Sequence, residues 1–175
     1  MPRSVGQTIA DSLSLSLQYA RRMLVGITPD QFGRLARLGD RVIDSNHAAF
    51  VYGHLGLYGS RIVEQLGGET TGITPPESFT AAFSKDAQCV DDPLGTIYPS
   101  MEEVTRVFFQ GYEAGLAALQ TAPDEIFQRP NPGQGRIVEL FPTMGSMHTF
   151  YCGGHIMMHL GQVSAWRRMW GLPPA

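Results

Sequence analysis

Leu13-Ser14-Leu15-Ser16-Leu17 decides between two folds. Alone, its strict alternation reads as a half-buried strand. In the wider window from Val5 to Val25, Ile9, Leu13, Leu17, Ala20 and Leu24 recur at intervals of three and four, among Ala, Met, Arg and Gln residues that favour helix. The spacing predicts a long amphipathic helix, with Gly26 placed to end it.

Beyond Gly26, Thr28-Pro29-Asp30-Gln31 combines a Thr cap, Pro at the first helical position and Gln three residues after the cap. A short helix is expected there, with Phe32, Leu35 and Leu38 on one apolar side until Gly39. Asp44-Ser45-Asn46 offers the next cap, for a second long helix from His47 to Leu66 closed by Gly67-Gly68. Val51, His54, Tyr58, Ile62 and Gln65 form one stripe of this helix, and Gly53, Gly56 and Gly59 repeat every third residue. Each glycine costs about 1 kcal/mol relative to Ala. Either another element or a ligand approaches the backbone there, or the helix bends.

From Glu69 to Pro99 the chain carries four prolines and no sustained period, with a turn of helix expected near Ser78 to Ser84. A connection this long can cross a bundle and make consecutive helices parallel. Ser100-Met101-Glu102-Glu103 opens a third long helix through Val104, Val107, Phe108, Tyr112, Leu116 and Leu119, which stops before Pro123. The stretch from Pro123 to Pro142 is rich in Pro and Gly, and only Gly135 to Phe141 suits a short extended piece. A last helix runs from near Ser146 to Trp170. The sum is an all-α chain: a four-helix bundle with an additional short helix and a long crossover connection between the second and third long helices, in a single domain over residues 1–175.

Bulk properties narrow the function. With 175 residues and 43% hydrophobic residues, the chain suits one well-packed domain. A net charge of −3 without blocks of like charge offers no footprint for nucleic acid. No apolar run approaches the ~18 residues of a membrane span and no leader pattern is present, so a soluble, cytoplasmic protein with no membrane partner is expected. Cys89 and Cys152 are too few for a disulfide framework.

All five histidines fall on the second and last long helices. His155 and His159, four apart, sit one above the other at about 6 Å along the axis, close enough to share an ion. His47 and His54 are seven apart, as are His148 and His155, a separation of about 10 Å that one ion cannot bridge. The third ligand is therefore His54 or His47, and His54 is better placed, near mid-helix among the glycines. Cys152 is a rival donor three residues before His155, but Cys152, His155 and His159 together span too much axis for one ion, and Cys152 reads as a small buried hydrophobe. The competing reading of the histidine pair is a polar seam hydrogen-bonded to carbonyls or water.

The segment Asn46-His47-Ala48-Ala49-Phe50-Val51-Tyr52-Gly53-His54-Leu55 and the run His155-Ile156-Met157-Met158-His159-Leu160-Gly161-Gln162, with the ending Arg167-Arg168-Met169-Trp170-Gly171-Leu172-Pro173-Pro174, resemble the DinB-like four-helix-bundle superfamily of metalloenzymes, which includes thiol S-transferases. The resemblance implies His54, His155 and His159 as ligands of a divalent transition metal (zinc, nickel or iron). It also implies a low-molecular-weight thiol as cosubstrate, a small-molecule substrate and a homodimer; an exposed apolar end at Trp166, Met169 and Trp170 is compatible with the dimer, and packing of these residues within the bundle is the alternative. A bundle with one crossover would keep His47 and His148 at opposite ends. The long second connection and the Pro/Gly-rich stretch depart from common members.

Three neutral imidazoles leave a divalent ion its Lewis acidity and at least one open position. Such a centre can lower the pKa of bound water or hold a thiol as thiolate. Tyr58, Tyr151 and Gln162 lie one helical turn from a proposed ligand and are candidates to orient it or to border the pocket. The expected function is a metal-dependent enzyme, a thiol transferase or a hydrolase. The alternative is a noncatalytic bundle with a structural or vestigial metal site that binds a small ligand or a protein partner.

Overall fold

The computed structural model describes residues 2–175 and is mostly helical. Helix α1 spans Val5–Leu24, closed at its start by a reciprocal cap in which Ser4 Oγ accepts from the Gln7 N–H and Gln7 Oε1 accepts from the Ser4 N–H. Its Leu-Ser alternation resolves as helix: Leu13 and Leu17 are buried, whereas Leu15 is 60% exposed and Ser16 is buried. A strand would have put all three leucines on one face. Ser16 Oγ donates to the Ser12 carbonyl at 3.0 Å, which satisfies the buried hydroxyl within its own helix.

The short helix α2, Pro29–Phe32, ends sooner than its apolar spacing predicts. Beyond Gly33 the chain forms a two-stranded antiparallel hairpin, β1 Arg37–Leu38 and β2 Arg41–Val42. Gly39, at φ 59°, takes the first turn position that a tight hairpin reserves for glycine. Leu38 is thereby 76% exposed rather than part of an apolar helix face.

Helix α3, Ala48–Gln65, is capped by His47 itself, whose Nδ1 accepts from the Phe50 N–H, rather than by Asp44, Ser45 or Asn46. Helix α4, Glu77–Phe83, lies in the connection that follows, and α5 spans Met101–Thr121. The glycine repeat of α3 answers to neighbouring elements. A Cβ on Gly59 would fall 2.4 Å from the backbone of Gly111 in α5, and one on Gly56 would meet Val107 at 3.4 Å. Gly115 in turn faces Ile62, so contacts advance in the same direction along both chains and α5 runs parallel to α3. A Cβ on Gly53 would lie 2.4 Å from the ring of Phe83, so this glycine makes the seat on which α4 docks.

The connection around α4 is anchored by two carboxylates. Asp91 accepts from Arg34 and from the Leu35 N–H, and Asp92 accepts from the N–H groups of Thr96, Ile97 and Tyr98. After α5 come α6, Asp124–Phe127, and α7, Arg136–Leu140. The last is a helical turn where an extended piece is predicted from the sequence. Gly135 at φ 66° reverses the chain before it, and the Asn131 amide holds the carbonyls of Ile137 and Phe141.

The final helical run comprises α8, Met144–Thr149, a π-helical segment, Phe150–His155, and α9, Ile156–Met169. It packs against both α1 and α3, while α5 packs against the same two helices. Against α3 it runs antiparallel, since Asn46 meets Gln162 at one end while Ile62 and Gln65 share a cavity with Met147 and His148 at the other. His47 and His148 therefore sit at opposite ends of the helix pair. The buried Arg167 guanidinium donates to the carbonyls of Met23, Val25 and Pro173, tying the end of α1 to the C-terminal tail. Trp166, for which the sequence leaves open an exposed apolar end or packing within the bundle, is fully buried, and its indole N–H donates to the Arg34 carbonyl. No helix among the described residues is long and apolar enough to cross a membrane.

Candidate metal centre

His54 reaches the centre from the middle of α3, and His155 and His159 reach it from the last helical run. Each offers a ring nitrogen such that the three atoms lie within 4.8 Å of one another. His54 and His155 are buried and His159 is half-buried. The imidazole centroids are 4.8 Å apart for His54 and His159, 4.7 Å for His155 and His159, and 5.5 Å for His54 and His155.

Two of the three rings are oriented from behind. His54 Nδ1 donates to the Phe83 carbonyl at 2.9 Å, because α4 sits on Gly53 and brings that carbonyl within reach. His159 Nδ1 donates to Gln162 Oε1 at 3.0 Å, and the same oxygen accepts from Asn46 Nδ2 at 3.2 Å. A carbonyl or amide oxygen can only accept, so both imidazoles carry their proton on Nδ1 and leave Nε2 as a lone pair. This is the outer arrangement that ligating histidines ordinarily show. His155 Nδ1 is buried without a partner.

Burial lowers the pKa of all three imidazoles. His155 is pushed down to about 3, by burial first and then by mutual repulsion with His159 and His54. All are neutral near pH 7, the form a metal requires. A set of three clustered neutral imidazoles, two with fixed tautomers and one with an unanswered buried nitrogen, fits a divalent transition ion.

Tyr58 and Tyr151 stack on each other at 5.0 Å and both lie against His155, at 4.7 and 5.3 Å between centroids. Burial raises both phenol pKa values, so these groups stay protonated. Cys152 is fully buried and its thiol is pushed up to about 12 by burial, which makes it a core residue and no thiolate donor. His47 is likewise outside the cluster: Nδ1 caps α3 and Nε2 lies 3.0 Å from the Val90 carbonyl. His148 is fully buried beside Phe127, with neither ring nitrogen paired.

The centre is reachable. A cavity of about 350 Å³ is bordered by His54 and His159 and continues over Asn46, Phe50, Lys85 and Cys89. No carboxylate lines it. Sequence reasoning missed the π-helical segment that leads into His155; the adjacent Gly153-Gly154 pair is its one trace in the sequence. The wider winding accommodates a close approach of α1, since a Cβ on Gly153 would lie 2.7 Å from Ser12 Oγ. Such segments recur at functional sites. It also missed the Phe83 carbonyl, a backbone group with no residue-type signature, and Asn46 as the partner of Gln162. Comparison with protein-family models, curated proteins and solved structures found no match for this chain.

Proposed function

We propose that the protein is a DinB-like four-helix bundle in which His54, His155 and His159 hold one divalent transition metal ion, and that it transfers a small thiol to an electrophilic substrate. The observation that carries this reading is the convergence of three neutral imidazoles within 4.8 Å beside an open cavity. Bound there, the ion supplies Lewis acidity that brings a thiol pKa toward neutrality.

The chain's own residues hold and admit. The Phe83 carbonyl and the Gln162 amide fix two imidazoles, so little reorganisation is needed on loading. The cavity bordered by His54 and His159 gives a small molecule access from the side of Asn46 and Lys85. The absence of a carboxylate from its lining favours thiol transfer over hydrolysis, which ordinarily draws on a side chain to shuttle the proton of water. A thiol that has already lost its proton to solvent needs no such group.

The test is conjugation of a chromogenic electrophile by a panel of small thiols, with apo protein, protein reloaded with zinc, nickel or iron, and the His54→Ala/His155→Ala/His159→Ala variant. Rate enhancement is expected only with a metal and the intact triad. Tight metal binding without enhancement by any thiol would assign the centre a structural role instead.

A further inference from the structure

A second cavity is bordered by the Tyr58–Tyr151 stack. It measures about 150 Å³ and is bordered by Tyr58, Arg61, Ile137, Met147, His148 and Tyr151, among others. An apolar cavity of about this volume takes a benzene ring. The two tyrosine faces and the Ile137 and Met147 side chains supply apolar and aromatic walls for such a body.

The lining carries one charge, on Arg61, and Gln65 is its one amide side chain. The Arg61 guanidinium lies 5.3 Å from the centre of the Tyr58 ring, and among the described residues it makes no ion pair. No carboxylate lines the cavity; the nearest along the helix, Glu64, borders a separate hollow that it shares with Arg61. His148, buried beside the cavity with neither ring nitrogen answered by the protein, is a polar group that ordinary packing would have paired. A cavity walled by aromatic rings and bordered by one guanidinium outside any ion pair is complementary to an anion with a flat apolar body.

We infer that this cavity binds a small carboxylic acid with a benzene-sized apolar body, its carboxylate on Arg61 and its ring against the Tyr58–Tyr151 pair and Ile137. The stack that walls the cavity also touches His155, so the acid lies one aromatic ring from the histidine cluster. The cavity is distinct from the one that borders His54 and His159. The binding itself does not depend on the metal.

Sodium benzoate is the probe, titrated calorimetrically into metal-free full-length protein. Saturable binding at one site per chain is expected. Arg61→Gln, a change at an exposed position, should weaken it about 10- to 100-fold, the loss of a charge-assisted contact. Ile137→Trp should block it by filling the slot. His159→Ala, which removes a ring of the cluster that packs on neither tyrosine, should bind benzoate like the native chain, which separates this pocket from a carboxylate held at the metal centre. Undetectable binding to the native chain, binding indifferent to Arg61→Gln, or binding lost with His159→Ala would each overturn the assignment.

Discussion

Replacing Gln162 by Met removes one acceptor while keeping the length of the side chain, and its effect on metal affinity can be worked out from the surroundings of His159. Gln162 Oε1 accepts from His159 Nδ1 and from Asn46 Nδ2, so the amide is held from two sides and holds the imidazole in the tautomer that leaves Nε2 free. Loss of such an outer partner costs roughly 10- to 100-fold in metal affinity. Gln162 is exposed, so water can take the vacated place on Nδ1, which puts the expected loss near the low end, about tenfold or ~1.4 kcal/mol. Asn46→Ala acts only through Gln162 and should cost less, and the two changes together should not add. Competition for zinc against a chromogenic chelator at pH 7 measures all three. In a His159→Ala background the Gln162→Met effect should vanish. Affinity unchanged by Gln162→Met, or an equal loss in that background, would refute the role given to the amide.

Three further outcomes are expected. Gly59→Ala places a methyl 2.4 Å from the Gly111 backbone, which no rotamer change can relieve; it should destabilise by about 1–3 kcal/mol in urea unfolding despite its better helix propensity, whereas Gly161→Ala, with open space around it, should stabilise by about 0.5–1 kcal/mol. His148 is fully buried and its pKa is pushed down to about 4 by burial. The unfolded chain therefore takes up that proton first, and metal-free protein should lose roughly 3 kcal/mol from this group as pH falls from about 6.5 to about 4. His148→Leu should flatten the urea midpoint against pH in that window, and an unchanged slope would count against the assignment. Deleting Gly154 should convert the π-helical segment to regular α-helix and rotate one side of it by about 100° relative to the other. Helicity by circular dichroism should persist while zinc stoichiometry falls, and full zinc binding would show that the segment does not position His155.

The long helices are legible because each carries its own period; among them only α5 starts at the cap that the sequence signals, Ser100. Ser4 was not read as a cap, yet the stripe Ile9, Leu13, Leu17, Ala20 was enough to override a five-residue strand pattern, and the exposed Leu15 shows why: burial follows the helical face. The histidine cluster was legible from a four-residue spacing and a mid-helix position. What stayed hidden has no periodic or residue-type signature. The hairpin at Arg37–Val42 rests on one glycine with positive φ. The α7 turn depends on Asn131 reaching carbonyls six and ten residues away. His47 was a candidate ligand by type, but a ring nitrogen beside a helix start can cap it as an Asn side chain does. The glycines of α3 are compatible in sequence with a neighbouring element, a ligand or a bend, and in the structure the Gly111 backbone and the Phe83 ring fill the space beside Gly59 and Gly53.

Metal analysis of untagged protein reconstituted with one equivalent of zinc and dialysed decides whether the three histidines hold an ion. One tightly held ion per chain is expected in the native protein and none in the His54→Ala/His155→Ala/His159→Ala variant, with His47→Ala and His148→Ala retaining it. Equal metal content in the native and triple-variant proteins would contradict this assignment.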